Sequence, residues 1–319
     1  MERDDRESRS TVHMALSPSA MAAGPTTAPS WHIRGGALRL DRPLIMGIVN
    51  VTPDSFSDGG RFFSADAAVA HGRRLSDEGA DILDIGGEST RPQGATPVDA
   101  EEECRRVLPV VQALARALPT VALSVDTVKS AVAHAALDAG AHIVNDVSGF
   151  RLDPRMGEIC AEAGAGVVLM HSRGNVSEMG TYAFANYGAD VAEEVLRELR
   201  ARVDQARAAG VAEASIALDP GLGFAKRTEH SLRVLAALPR LAALGYPIVV
   251  GASRKRFIGE ITGAKGPEER VFGTIGANVA ALADGGRVFR VHDVAANRHA
   301  LDVAWAIARQ RSGEGAVVA

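Results

Sequence analysis

The sequence predicts a single (β/α)8 barrel, the TIM-barrel form of the α/β class. The first observation is a recurring unit: a short apolar strand, a polar or glycine-rich loop, then a helix, repeated eight times after residue 40. The second is that the G-x-G-x-x-G fingerprint of an open doubly wound sheet, which usually has fewer strands, does not follow the first strand. The third is a length of 319 residues, enough for one large barrel. In this fold the functional residues lie at the carboxyl ends of the strands.

The ends of the chain differ from its middle. Residues 1–30 are rich in Ser, Ala, Pro, Thr and charge and have no apolar periodicity, so we expect a disordered extension. Met14 and Met21 are further possible start sites. Strands at Trp31–Arg34 and Ala37–Leu40 around two glycines predict an N-terminal β-hairpin. We expect one barrel domain over residues 31–312 and a flexible tail over residues 313–319.

The barrel strands are expected where short apolar runs end in polar or glycine-rich segments. These runs are Leu44–Val49, Asp81–Ile85, Val121–Val125, His142–Asn145, Gly166–Met170, Ser215–Leu218, Pro247–Val250 and Arg287–Val291.

The helices between the strands have apolar residues at helical spacing. Asp99 followed by Glu102 is a capping-box pattern, and Pro109 is expected to bend the helix that begins there. Other helices are expected to end at glycines that can adopt the left-handed conformation. These glycines are Gly79, Gly140, Gly164, Gly210 and Gly245.

Composition excludes several classes of function. Lys plus Arg number 35 and Asp plus Glu number 39, so no strong charge draws the chain to nucleic acid or to a membrane surface. Cys104 and Cys160 are too few for a disulfide framework or a Cys-rich metal site. No apolar run reaches the roughly 20 residues that span a bilayer. We therefore expect a cytoplasmic protein in a reducing compartment, with small molecules as its partners.

Polar or ionisable side chains stand at most of the predicted strand ends. Alternation along a strand aims several of them inward, for example Asp126, Asn145 and Asp219. Any one of them could be a capping Asp or a satisfied buried Asn. Several at one barrel mouth are harder to explain by packing, because each costs desolvation unless it has a partner. A polar ligand with donors and acceptors would provide the partners. The set is Asn50, Asp84, Asp126, Asn145, Met170, Asp219, Lys255, Arg290 and His292.

Four segments carry a resemblance to a known family. They are MGIVNVTPDSFSDGG at residues 46–60, DIGGESTRP at 84–92, LDPGLGF at 218–224 and GASRK at 251–255. They resemble the signatures of the dihydropteroate synthases, the folate-pathway enzymes that sulfonamide drugs inhibit, and the likeness covers nearly all of Leu40 to Ile307. It implies a transferase that condenses 6-hydroxymethyl-7,8-dihydropterin diphosphate with p-aminobenzoate to give 7,8-dihydropteroate and pyrophosphate. Two alternatives are a pterin-binding methyltransferase barrel and a non-catalytic pterin-binding paralogue.

The resemblance implies a pterin site. Asp126, Asn145, Asp219 and Lys255 match the pterin-binding positions, and Arg290 belongs to the same set. A carboxylate accepts both donors of the 2-amino-4-oxo edge, while Lys suits its carbonyl oxygen. Met170, with Val147, would form an apolar wall, although core packing is an equal alternative for both. Asp126 and Lys255 are also candidate catalytic residues, together with Arg290 and His292.

Arg290 and His292 stand two residues apart on a strand and so project the same way. The resemblance places them on the pyrophosphate with Mg²⁺, and the Asn that matches Asn50 helps to hold the metal. Mg²⁺ keeps waters and phosphate oxygens as most of its ligands, so one protein oxygen is sufficient. The alternative for Arg290 is an ion pair inside the barrel. No Walker-type P-loop is found, which argues against nucleotide hydrolysis.

The resemblance places p-aminobenzoate between a loop with Thr90, Arg91 and Pro92 and an opposite side with Phe224, Ser253 and Lys255. Phe224 and Pro92 would sandwich the ring, while Ser253 near a helix amino terminus would take the carboxylate. The long glycine-rich loops 51–63 and 86–98 could close over bound pyrophosphate.

One departure from the family pattern is Gln93, which separates Pro92 from Gly94 where the family has Thr-Arg-Pro-Gly. Neutral drift in loop length is one interpretation. The other is a loop rim reshaped to exclude sulfonamides, which project beyond p-aminobenzoate, making the chain a sulfonamide-insensitive variant.

The oligomeric state does not follow from the residues alone, although the family implies a homodimer. Ala277, Ala280 and Ala281 on the penultimate helix would permit close packing against a second copy. They equally suit the wall of the barrel.

Overall fold

The computed structural model describes residues 29–51, 63–88 and 98–312. The predicted extension and tail lie almost wholly outside these residues, although the first strand already begins at Ser30. The strands are β1 Ser30–Ile33, β2 Gly36–Arg39, β3 Leu44–Asn50, β4 Ile82–Gly86, β5 Ala122–Asp126, β6 Ile143–Asp146, β7 Gly166–Met170, β8 Ile216–Asp219, β9 Ile248–Val250 and β10 Gly286–Val291.

Strands β3 to β10 form a closed parallel barrel in chain order, because β10 pairs with both β9 and β3. This confirms the predicted (β/α)8 fold. Four of the predicted strands are displaced by one residue toward the carboxyl end. The reason is that the parallel ladder continues to the polar ends of the strands, where Asn50 pairs with Gly86 and Gly86 with Asp126.

Helices connect successive strands around the outside of the barrel. They are α1 Phe63–Asp77, α2 Ala100–Ala117, α3 Ser130–Asp138, α4 Met156–Ala163, α5 Val176–Met179, α6 Val191–Ala208, α7 Thr228–Ala236, α8 Leu238–Ala242, α9 Arg256–Thr262, α10 Val271–Ala283 and α11 Val294–Arg311.

The start of α2 confirms half of the predicted capping box. The Asp99 side chain accepts a hydrogen bond from the Glu102 backbone N–H at 2.8 Å. The Glu102 carboxylate, however, binds the Nε of Arg106 at 2.7 Å, so the reciprocal bond of the box is replaced by an ion pair one turn further on. The helix runs on through Pro109. At the end of α4, Gly164 is in the left-handed conformation, as predicted.

The predicted hairpin is present, but its turn is Arg34-Gly35 rather than the two glycines, so each strand starts one residue early. Trp31 of β1 is fully buried and donates from its indole N–H to the Ser215 carbonyl at 2.9 Å. It packs against the inward side chains at the amino ends of the barrel strands. The hairpin therefore closes the barrel end opposite the predicted site, and loss of the indole would cost about 3 kcal/mol.

The barrel interior changes from apolar to polar along its axis. Near the amino ends of the strands, the inward side chains include Ile82, Ala122, Ile143, Ala217 and Val288. Two residues further along each strand, the same face carries a polar or charged group. These groups are Asp84, Ser124, Asn145, Asp219 and Arg290. The apolar layer supplies the packing, and the polar layer forms the floor of the mouth.

Candidate active site at the barrel mouth

Asp84 of β4 is the centre of a hydrogen-bond network in the floor of the mouth. Its side chain is fully buried, and it accepts from Ser124 Oγ at 2.6 Å, from Asn145 Nδ2 at 3.0 Å and from Arg290 Nε at 2.6 Å. A buried carboxylate with three donors is satisfied and therefore well fixed in position. Sequence reasoning placed Asp84 among the polar strand ends but gave it no place in the site.

Arg290 joins Asp84 to Asp126. Its Nη2 donates to Asp126 Oδ2 at 2.7 Å, so one guanidinium bridges two carboxylates. The barrel-interior ion pair considered for Arg290 is therefore present. Burial alone would lower the pKa of Arg290, but the two carboxylates raise it overall. Burial raises the pKa of Asp126 to about 7 against the opposing effect of Arg290, and the nearby Asp84 charge adds to the increase.

Asn145, Asp219 and Lys255 contribute the polar groups that remain open to a ligand. Asn145 uses its Nδ2 on Asp84, and its Oδ1 has no partner among the described residues. Asp219 accepts the Gly221 backbone N–H at 2.7 Å, and burial raises its pKa. Burial also lowers the pKa of Lys255 to about 8, while the Asp219 charge opposes that change.

An apolar wall stands beside these groups. Val128, Val147, Met170 and Met179 form one buried cluster, against which Phe224 packs. This cluster is separate from the main core between the barrel and its helices.

Phe224 also faces Lys255, whose Nζ lies 3.9 Å from the centre of the phenyl ring. This distance is typical of a cation–π contact. Phe224, predicted to pack against the p-aminobenzoate ring, and Lys255, predicted to bind the pterin, are therefore neighbours.

Ser253 and His292 are linked to each other. The His292 backbone N–H donates to Ser253 Oγ at 3.1 Å, and Ser253 Oγ lies 3.0 Å from His292 Nδ1. Because the oxygen accepts the backbone N–H, its own proton can be donated to Nδ1. Ser253, predicted to bind the p-aminobenzoate carboxylate, thus orients His292, predicted to bind pyrophosphate.

Some predicted site residues lie outside the described part of the chain. Thr90, Arg91, Pro92 and Gln93 are among them. The described residues on either side of residues 89–97 are joined, since Glu88 Oε1 accepts the Val98 backbone N–H at 2.9 Å. Lys129 donates to Glu88 Oε2 at 2.8 Å and to the buried Glu103 at 2.5 Å.

The fold and the mouth define a class of protein, a TIM-barrel enzyme with a site for a flat, polar ligand. The family described as "Pterin binding enzyme" matches residues 46–292. A dihydropteroate synthase of Mycobacterium leprae is 50% identical over 268 residues, which are 82% of this chain and 93% of the relative. A Xanthomonas albilineans dihydropteroate synthase solved with 4-aminobenzoic acid has a TM-score of 0.82 and 48% identity, over 88% of this chain and 99% of that one.

A second structure of the Xanthomonas albilineans enzyme, in complex with 7,8-dihydropteroate, has a TM-score of 0.79 and 46% identity over the same shares of the two chains. The chain therefore belongs to the pterin-binding enzyme family and, within it, to the dihydropteroate synthases. Its activity is that of a transferase in folate biosynthesis, which condenses 6-hydroxymethyl-7,8-dihydropterin diphosphate with p-aminobenzoate and releases pyrophosphate.

Proposed function

We propose that the mouth carries out this condensation with the pterin ring over Asn145, Asp219 and Lys255, the diphosphate beside Arg290 and His292, and p-aminobenzoate against Phe224. The observation that carries the proposal is the convergence of these side chains from separate strands on one rim. Asn145 and Arg290 are joined through Asp84, and Lys255 contacts Phe224.

The pterin edge is complementary to the open polar groups. Asp219 accepts from the amino group and the ring N–H, Asn145 Oδ1 accepts a further ring N–H, and Lys255 donates to the carbonyl oxygen. Met170 and Val147 supply the apolar surface against which the flat ring packs. A carboxylate, an amide oxygen and an ammonium together specify a ligand that carries both donors and acceptors.

The diphosphate needs cationic and hydrogen-bonding groups where the leaving charge develops. Arg290 uses Nε and Nη2 on the two carboxylates, so its Nη1 would donate to the diphosphate, and His292, two residues further along the chain, would lie beside the same group. Asn50 ends β3 on the inward face and is partly exposed, and no described residue hydrogen-bonds to its side chain. One available amide oxygen fits Mg²⁺, which would neutralise diphosphate charge when bound.

In the reaction, the bond between the pterin methylene carbon and the diphosphate oxygen breaks, and its electron pair leaves with pyrophosphate. The p-aminobenzoate nitrogen then forms a bond to that carbon and loses a proton. Asp126, ionised and held by Arg290, stabilises the positive charge that spreads from the methylene into the ring. Because no covalent intermediate with the chain is needed, the side chains act by positioning and electrostatics.

Binding and turnover can be measured separately. Calorimetry with the pterin diphosphate, followed by an assay of p-aminobenzoate-dependent pyrophosphate release, distinguishes a synthase from a methyltransferase barrel or a binding protein. In Asp219→Asn, the pterin dissociation constant should rise about 100-fold, since two charge-assisted hydrogen bonds weaken. The control is Asp138→Asn, at an exposed carboxylate on α3. Unchanged affinity in Asp219→Asn would refute the pterin assignment.

We also propose a homodimer through one apolar groove, called here the α7/α9/α10 groove. Two large side chains that line it stay exposed, Leu232 at 42% and Ile261 at 56%, and Phe272, which precedes the lining residue Gly273 on α10, is 85% exposed. Small residues of α10 line the floor, including Ala277, Ala280 and the buried Ala281. Small residues allow the helices of another chain to approach closely, and the exposed apolar side chains would be buried by that contact. A second copy of this chain, related by two-fold symmetry, would bring the same helices to the interface.

A cytoplasmic location is proposed from the thiols. Cys104 lies on α2 and Cys160 on α4, and both are free. Burial raises the pKa of both thiols, so they are weakly reactive. Unpaired thiols are typical of a reducing compartment. No helix in the described part of the chain is long and apolar enough to cross a membrane.

A further inference from the structure

Lys226 is a buried ammonium group to which the reaction assigns no role. Its side chain is 1% exposed. Burying an ammonium group is costly unless every N–H has an acceptor. The burial also lowers the pKa of Lys226, to about 7.

Three acceptors surround the ammonium group. Nζ donates to the carbonyl oxygens of Gly221 at 3.1 Å and Phe224 at 3.2 Å, and it lies 2.7 Å from His171 Nδ1. His171 is itself buried, and burial lowers its pKa to about 4, so its imidazole is neutral. Nδ1 therefore accepts from Lys226, while Nε2–H donates to Glu198 Oε2 at 3.0 Å.

The two carbonyls belong to a tight turn after β8. Gly221 has φ +66°, and a side chain there would come within 1.9 Å of the His171 carbonyl oxygen. Ala225 also has positive φ, +45°, which is unfavourable for a residue with a Cβ. The Phe224 N–H closes the turn on the Gly221 carbonyl at 3.1 Å. Lys226 binds both ends of this turn and so opposes its opening.

The turn carries Phe224, whereas the backbone of Asp219 is held by the barrel ladder, and only the Asp219 carboxylate contacts the turn, at the Gly221 N–H. The Asp219 carbonyl accepts the His171 N–H at 2.9 Å, and Asp219 pairs with Met170 in the barrel ladder. Loss of the Lys226 bonds therefore leaves the Asp219 backbone in its strand but removes the bond that holds the Phe224 carbonyl, so the Phe224 backbone is held less firmly. Phe224 contributes the ring that faces Lys255.

We propose that Lys226, supported by His171, is a positioning residue that holds the Phe224 ring opposite Lys255 and thereby sets the affinity for p-aminobenzoate. The inference rests on the proposed role of Phe224 in the p-aminobenzoate site. It assigns Lys226 no contact with either substrate.

The test uses Lys226→Met in the full-length chain, with Lys265→Met at an exposed lysine as the matched control. The KM for p-aminobenzoate should rise about tenfold or more in Lys226→Met, while the KM for the pterin diphosphate changes by less than about threefold. In a Phe224→Ala background the same substitution should leave the p-aminobenzoate KM nearly unchanged. His171→Phe keeps the lysine but removes its third acceptor. It should also raise the KM for p-aminobenzoate, by a smaller factor than Lys226→Met does.

Two results would overturn the inference. The first is unchanged KM values in both the Lys226→Met and His171→Phe proteins, which would assign the lysine to stability alone. The second is an equal rise in the KM for p-aminobenzoate and the KM for pterin diphosphate, which would have the same meaning. If Lys226→Met does not fold, His171→Phe and its combination with Phe224→Ala decide the matter. Failure of the proposed function is a different result, because the unmodified chain would then bind pterin diphosphate without releasing pyrophosphate.

Discussion

The Nε of Arg290 donates to Asp84 across 2.6 Å, although 206 positions separate the two residues in the chain. The contact exists because the barrel closes: Arg290 of β10 pairs in register with Met46 of β3, and Met46 pairs with Ile82 of β4. Asp84 lies two residues beyond Ile82 on the same inward face. Closure of the barrel and assembly of the site therefore depend on the same strand register.

Asp84→Asn tests how much of the site depends on this carboxylate. The substitution keeps the shape but removes the charge opposite Arg290, so we expect the free energy of unfolding to fall by about 3 kcal/mol. The pterin dissociation constant should also rise about tenfold, because Asn145 and Arg290 lose a common partner. Urea denaturation and calorimetry provide the two measurements.

The matched control for Asp84→Asn is Ser124→Ala. This change removes one hydrogen bond to the same carboxylate and should cost about 1 kcal/mol. Equal stabilities for the original chain and Asp84→Asn would show that Asp126 alone can compensate Arg290.

Much of this arrangement follows from sequence, because alternation along a strand is a local rule. It aimed Asp126, Asn145 and Asp219 inward, and the apolar runs located the strands to within about one residue. The displaced ends have one physical cause: hydrogen bonding with a neighbouring strand continues into polar residues that local pattern assigns to loops.

The central position of Asp84 and the burial of Lys226 could not be predicted from local sequence patterns. The central position of Asp84 requires the register between β10, β3 and β4, which is not local information. Lys226 follows a glycine-rich turn, where a lysine is ordinarily exposed. Its burial depends on the left-handed residues Gly221 and Ala225, which return the chain against His171. The run of glycine and apolar residues before Lys226 was the available signal.

Deletion of Gln93 tests the two interpretations of the extra loop residue. If the residue reshapes the rim against sulfonamides, its deletion should lower the inhibition constant of a sulfonamide about tenfold and leave the KM for p-aminobenzoate within about twofold. Competition kinetics against p-aminobenzoate measure both constants. A Gln93→Ala protein keeps the loop length and is the control. Identical inhibition in all three proteins would assign Gln93 to neutral drift.

The homodimer proposal predicts the behaviour of Phe272→Asp. Phe272 is 85% exposed, so a charge there should leave the monomer folded but prevent burial of the α7/α9/α10 groove. Light scattering after gel filtration at about 10 µM should give a dimer for the original chain and a monomer for the variant. Val303→Asp, on α11 outside the groove, should remain dimeric. A dimer that survives Phe272→Asp would place the interface elsewhere.

The pKa values of Asp126 and Lys255 predict a narrow pH optimum. Asp126, with a pKa of about 7, gains a proton as the pH falls through that value and can then no longer stabilise positive charge on the substrate. Lys255, with a pKa of about 8, loses its proton as the pH rises and no longer donates a charge-assisted hydrogen bond. Since kcat/KM reports the groups of the free enzyme, its profile for the pterin diphosphate should fall on both sides of an optimum between these values.

The two limbs of that profile can be assigned by substitution. Asp126→Asn should lower kcat/KM throughout but abolish the acid limb, because the amide does not titrate. Lys255→Arg should remove the alkaline limb from the measurable range, because a guanidinium stays protonated. Lys265→Arg changes an exposed lysine in the same way and should preserve both limbs. An acid limb that persists in Asp126→Asn would belong to another group, and Asp219 is a second carboxylate of the mouth whose pKa burial raises.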